Sequence, residues 1–82
     1  MALWHPFDAA DIEYEFNEQK LAEHGVAVYE AAEVFWNGFD VRRNRPFKDR
    51  YQIVGRTDAG RLLKLIVYRK SRRLRVITGW PL

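Results

Sequence analysis

"RLLKLIVYRKSRRLRVITGW", residues 61–80, decides how this chain folds. Apolar and charged residues alternate through 61–69 and again through 73–80, and a period of two marks half-buried strands. The linking "RKSR" supplies a turn, so the stretch reads as a β-hairpin. It also carries seven arginines and lysines, more than solubility asks of twenty residues, which raises the question of what they bind.

Working outward, "DRYQIVGRT" (49–57) alternates in the same way, "TDAG" (57–60) places Asp and Gly where a tight loop wants them, and "FDVRRNR" (39–45) is a further strand. A turn centred on Ala59 makes 56 face 62, 54 face 64, 52 face 66 and 50 face 68. A second centred on Lys70-Ser71 makes 68 face 73, 66 face 75 and 64 face 77. One face then gathers Tyr51, Ile53, Gly55, Leu63, Leu65, Val67, Leu74, Val76 and Thr78, the expected core. The opposite face gathers Arg50, Gln52, Val54, Arg56, Leu62, Lys64, Ile66, Tyr68, Arg73, Arg75 and Ile77. A merely solvated face mixes signs, and this set holds no carboxylate. Its cations match successive phosphates, and Tyr68 offers a ring to an unstacked base, so the face is an expected RNA platform.

Upstream, "LWHPF" (3–7) reads as a short edge strand limited by Pro6. "DAADIEYEFNEQKLAEHG" (8–25) reads as a helix capped by Asp8, with carboxylates early and Gly25 at its end. "VYEAAEVFWNG" (28–38) is a second helix with Ala31, Val34 and Phe35 on one stripe. Together these predict one α+β domain over 1–82. Two N-terminal helices pack on one face of an antiparallel β-sheet of three to five strands.

With 82 residues, 48% of them hydrophobic, the chain supports one modest core and no second lobe. The absence of cysteine removes disulfides, thiolate metal sites and a cysteine nucleophile. With only two histidines besides, neither a metal site nor a cofactor is expected. No basic leader with an apolar run opens the chain, and no stretch is long enough to span a membrane, so a cytoplasmic location is expected. Residues 1–40 hold nine carboxylates against Lys20 alone, a balance of −8, while 41–82 hold thirteen cations against Asp49 and Asp58, a balance of +11. That asymmetry points to a polyanionic partner for the second half.

The residues "EHGVAVYEAAEVFW", "RYQIVGRTDAGRLLKLIVY" and "RLRVIT" resemble BrnT-type toxins of bacterial type II toxin–antitoxin pairs. The resemblance runs through Phe7-Asp8, through Glu23-His24-Gly25-Val26, through Glu30 to Phe35 and through Val54 to Leu63, covering about residues 4–78. It implies a RelE-like fold, metal-independent cleavage of RNA, and neutralisation by a cognate antitoxin that is acidic or DNA-binding, in a hetero-oligomer. Two other functions are compatible with the same fold: a non-catalytic RNA- or protein-binding module, and a related toxin acting on a protein target.

Cleavage of RNA without metal needs a base for the 2′-hydroxyl, charge stabilisation at phosphorus and an acid for the leaving 5′-oxygen. Like charges crowded around a lysine favour its neutral amine, which makes Lys64 a candidate base among Arg56, Arg75 and Tyr68. Lys64, Tyr68, Arg75 and Arg56 are thus the expected catalytic residues, and Arg50, Gln52, Arg73 and Arg42 the expected RNA contacts. His24 is expected to cap or pack at a helix end, and His5 has no assigned partner. Trp4, Trp36 and Trp80 are expected as core or interface anchors, Trp36 on the core and Trp80 on the core-face parity of Thr78.

Overall fold

The computed structural model describes residues 12–82. The expected strand at 3–7, the cap at Asp8, and Trp4 and His5 lie outside the described residues. The elements run β1 (Glu13–Phe16), α1 (Glu18–Glu23), α2 (Val28–Trp36), β2 (Phe39–Arg43), β3 (Arg50–Arg56), β4 (Leu62–Lys70) and β5 (Arg73–Pro81). The fold is α+β, with two helices and a five-stranded mixed sheet in the order β1-β5-β4-β3-β2.

Two expectations are corrected at the N-terminal side. Of the described part of the helix predicted over 8–25, Glu18–Glu23 is helical, because "EYEF" forms β1 instead. Its period is two: Tyr14 and Phe16 turn toward the core while Glu13 and Glu15 turn away. Asn17, not Asp8, caps the remaining helix by accepting from the Lys20 backbone N–H at 3.1 Å. The sheet is also not wholly antiparallel, since β1 runs parallel to β5. β1 is locked there by Glu13 N–H donating to the Arg72 carbonyl at 2.7 Å and Asn17 N–H to that of Val76 at 2.9 Å.

The β3–β4 hairpin has the register that its turn predicts, Arg56 opposite Leu62 through Arg50 opposite Tyr68. The β4–β5 hairpin departs from the prediction twice. Its turn falls on Ser71-Arg72, with Ser71 in the left-handed region at φ 57°, so Lys70 faces Arg73 and Tyr68 faces Arg75 rather than Arg73. That two-residue shift preserves the faces. A bulge then follows: Val67 pairs with Val76 but Ile66 pairs with Thr78, leaving Ile77 as the extra residue. Beyond it every side chain of β5 changes face. Thr78 and Trp80 leave the expected core parity and lie opposite Ile66 and Lys64, while Gly79 lies opposite Leu65 on the core side.

The core is built from Leu63, Leu65 and Val67 of β4, Ile53 of β3, Leu74 and Val76 of β5, and Leu21, Val26, Ala31 and Val34 from the helical segment. Leu21 and Val34 meet the sheet above two glycines. A Cβ on Gly79 would stand 2.5 Å from Leu65 Cδ2 and 2.9 Å from the Lys64 carbonyl, and one on Gly55 would stand 2.9 Å from Val34 Cγ1. Trp36, expected on the core, is 74% exposed and instead borders an apolar groove of about 220 Å³ with Tyr14, Phe16, Ala32 and Phe35.

The helices are tied to the β3–β4 turn by polar contacts. Arg61 donates from Nη1 to both Glu30 carboxylate oxygens at 3.0 and 3.1 Å and to the Gly25 carbonyl at 3.0 Å. Glu30 also accepts from the Ala27 N–H, which supplies one half of a reciprocal cap because Ala27 has no side-chain acceptor. The Asp58 N–H donates to Glu33, and Asn37 donates to the Asp58 carboxylate at 2.8 Å. The Ala27 hydrogen bond, followed by the Arg61 contacts and against the effect of burial, holds the Glu30 carboxyl below its ordinary range.

Gly79→Ala is expected to destabilise the fold by about 1–3 kcal/mol through overpacking beneath Leu21, read as a lower urea midpoint at unchanged slope. Glu30→Gln tests the tether. A carboxyl titrating lower in the folded state stabilises above the ordinary carboxylate range and loses that contribution as pH falls through the folded value. The stability gap between wild type and Glu30→Gln is therefore expected to be present at pH 7 and to narrow as unfolding is repeated toward pH 3.

Candidate nucleic-acid interface

The face opposite the core is ordered in cross-strand rows. Reading from β1 or β5 toward β2, the rows are Glu13, Arg73 and Lys70; then Glu15, Arg75, Tyr68 and Arg50; then Thr78, Ile66, Gln52 and Arg42; then Trp80, Lys64, Val54 and Asp40; and finally Leu62 and Arg56. This face carries seven cations against three carboxylates. It is basic, but the expectation that it lacks carboxylates is overturned by β1, which brings Glu13 and Glu15 beside β5, and by Asp40 of β2. The ion pairs Arg73–Glu13 and Arg75–Glu15 are long, at 3.8 and 3.9 Å, and exposed, so they add little stability.

The eight residues predicted from sequence share the face but not one site. Arg50, Tyr68 and Arg75 form a continuous row in which the phenol has a guanidinium-bearing residue on each side. Lys64 lies four residues along β4 from Tyr68, about 13 Å at the usual strand rise. The shift of the β4–β5 turn carries Arg75 away from Lys64, and Trp80 takes the position opposite the lysine. Arg56 folds back to donate to the Gly60 carbonyl at 2.8 Å, at the far end of the strand. The predicted catalytic set therefore divides into a Tyr68 group and a Lys64 group. Among the predicted RNA contacts, Arg73 and Arg42 are exposed, Gln52 donates to Asn44 at 3.2 Å, and the Arg50 guanidinium lies over the Phe47 ring at 4.4 Å. Lys70 extends the Tyr68 group and was not singled out from sequence.

A larger feature comes from the end of the sheet. β2 and β4 finish there while β3 and β5 begin, and the Arg69 N–H donates to the Asp49 carbonyl at 2.8 Å, joining the two connections. Segments 42–50 and 69–73 meet at this end with nine of the chain's fourteen cations and Asp49 as their one carboxylate. An open cleft of about 530 Å³ lies at its corner, lined by Glu13, Tyr68, Lys70, Ser71, Arg72 and Arg73. The signal was present in the sequence: in antiparallel hairpins, alternate loops fall at the same end, and "RRNRPFKDR" and "RKSRR" are alternate connections.

Tyr14 lies on the core side of β1, where burial pushes its phenol up and Arg69 opposes the shift. Burial likewise lowers Arg69, countered by Tyr14 and Tyr51. The Trp80 ring is half-buried 5.9 Å from that of His24, which stands at the C-terminal end of α1 with its backbone N–H donating to the Leu21 carbonyl. Among the described residues, no group of three metal-ligating side chains is assembled, and no helix is long and apolar enough to cross a membrane.

No family model, curated protein or solved structure matches this chain.

The cationic end is expected to dominate polyanion affinity. An Arg45→Ser/Lys48→Ser/Arg72→Ser variant, altered only at exposed loop positions, should leave a heparin column at clearly lower salt than wild type. Arg56→Ser/Lys64→Ser should shift elution less, because a Debye length of about 8 Å at physiological ionic strength confines each group's effect.

Proposed function

We propose that this chain is a toxin-like, metal-independent endoribonuclease of the BrnT type. It has a RelE-like arrangement, binds single-stranded RNA across the cationic end and the adjoining sheet face, and works in the cytoplasm. A cognate antitoxin, acidic or DNA-binding, neutralises it by covering the same surface in a hetero-oligomer. The observation that carries the reading is the row Arg50, Tyr68 and Arg75, which places a phenol between two guanidinium-bearing residues at the rim of a cleft in the most basic part of the molecule.

In RNA cleavage of this kind the 2′-oxygen bonds to the adjacent phosphorus as the bond to the 5′-oxygen breaks. Charge builds on the phosphoryl oxygens. Arg50 and Arg75 meet that charge, and guanidinium donors fixed on strands lose little freedom in doing so. Tyr68 donates a proton to the departing 5′-oxygen. Lys64, with Trp80 opposite it, engages a neighbouring nucleotide by charge and stacking, about 13 Å along the strand.

A second reading, a module of the same fold that binds RNA without cutting it, is favoured by one observation: Lys64 and Arg56 stand in rows that a single phosphate does not share with Tyr68.

Incubation of long single-stranded RNA with the purified protein in excess EDTA separates the two. The ribonuclease reading expects cleavage that falls by about a hundredfold or more in Tyr68→Phe. Arg50→Ala/Arg75→Ala should lose both cleavage and much of the salt-sensitive binding. Intact RNA that the wild type nonetheless retains in a salt-sensitive way would establish the second reading and remove the first.

A further inference from the structure

We propose that Glu15 is the general base of this site, an assignment that rests on the ribonuclease reading above. Glu15 is the Cα partner of Arg75, and Arg75 is the partner of Tyr68. The carboxylate and the phenol therefore stand on opposite sides of one arginine, two strand spacings or about 10 Å apart. A phosphoryl displacement runs with entering and leaving oxygens roughly in line on opposite sides of phosphorus. A phosphate held on Arg75 consequently points one of these oxygens toward β1 and the other toward β4.

Glu15 occupies the β1 flank and Tyr68 the β4 flank, so each proton has a group on its own side. The carboxylate is free to take this part: its side chain is 74% exposed, and its contact with Arg75 is a long 3.9 Å, a geometry that contributes little to folding. The groups that face it among the described residues are Arg75 directly across, Arg73 on the diagonal, Glu13 two residues along its own strand and Tyr68 one strand further.

The step balances without any added reactant. The 2′-hydroxyl proton passes to a Glu15 oxygen, the bond from the 2′-oxygen to phosphorus forms, the bond from phosphorus to the 5′-oxygen breaks, and the Tyr68 phenol protonates that oxygen. The products are a 2′,3′-cyclic phosphate and a 5′-hydroxyl, and both side chains return to their starting states by proton exchange with water.

The test uses the full chain and a long single-stranded RNA in EDTA, comparing wild type, Glu15→Gln, Glu15→Asp and, as a control on α1, Glu18→Gln. Rates are measured at saturating RNA across pH, and binding is measured separately by salt-dependent retention. Glu15→Gln is expected to cut about a hundredfold or more slowly, bind RNA at least as well as wild type, and lose the low-pH limb of the rate profile. Glu15→Asp should recover part of the rate, and Glu18→Gln should match wild type. Wild-type rate and profile in Glu15→Gln would overturn the assignment and leave the ribonuclease reading standing, as would a slowed enzyme that keeps its low-pH limb. RNA binding without cleavage by the wild type would overturn the ribonuclease reading itself, and the assignment with it.

Discussion

The alternation along β4 is the constraint on which the rest of this structure depends. Leu63, Leu65 and Val67 are fully buried on one side, and Lys64, Ile66 and Tyr68 face the other. A slip of one residue would exchange the two sets, exposing three core side chains and burying a lysine and a phenol. The register is held from the turn. Thr57 is buried there and its N–H donates to the Arg61 carbonyl at 2.9 Å, while its hydroxyl accepts from the Arg61 N–H at 3.1 Å. The same turn is anchored to α2 through Glu33, Asn37 and Glu30, so helix position and strand register are set together.

The same constraint accounts for the residues that surround this turn and the junction between the helices. Gly25 takes a left-handed φ of 75° and Val26 is buried. Glu30 pairs with Arg61, Glu33 receives the Asp58 N–H, and Gly55 lies beneath Val34. Every one of these residues works on the core side or at its rim. None lies among the cations of the open face, where the row of Arg50, Tyr68 and Arg75 sits. These helix and turn residues hold the fold, whereas the cations of the open face follow no spacing beyond strand alternation.

What the sequence makes legible follows from how local each determinant is. The β3–β4 register is readable because turn and alternation lie within twenty residues and agree. α2 is readable from a stripe over nine residues. β1 is not, because four residues of alternation sit inside a run whose carboxylates also suit the first turns of a helix, and the pairing that decides between them lies about sixty residues away, in β5. The bulge at Ile77 is hidden for a related reason. "RVITGW" contains no turn signal, and the face change is fixed by Gly79, where Leu65 and Leu21 leave no room for a side chain.

β1 matters more for the open face than its four residues suggest. A sheet face bearing only arginine, lysine and tyrosine can gather a polyanion, but all those cations are donors. It has little with which to accept a proton at neutral pH. Placing β1 beside β5 adds two carboxylates at the edge of that face without neutralising it, because both side chains remain exposed and their ion pairs are long. The acidic first half of the chain thus contributes more than charge balance. Among the described residues Glu18, Glu23, Glu30 and Glu33 stay on the helices, and Glu13 and Glu15 are delivered by strand pairing to the neighbourhood of Arg73 and Arg75. Donor and acceptor groups then share a face because a parallel strand is added to an antiparallel meander.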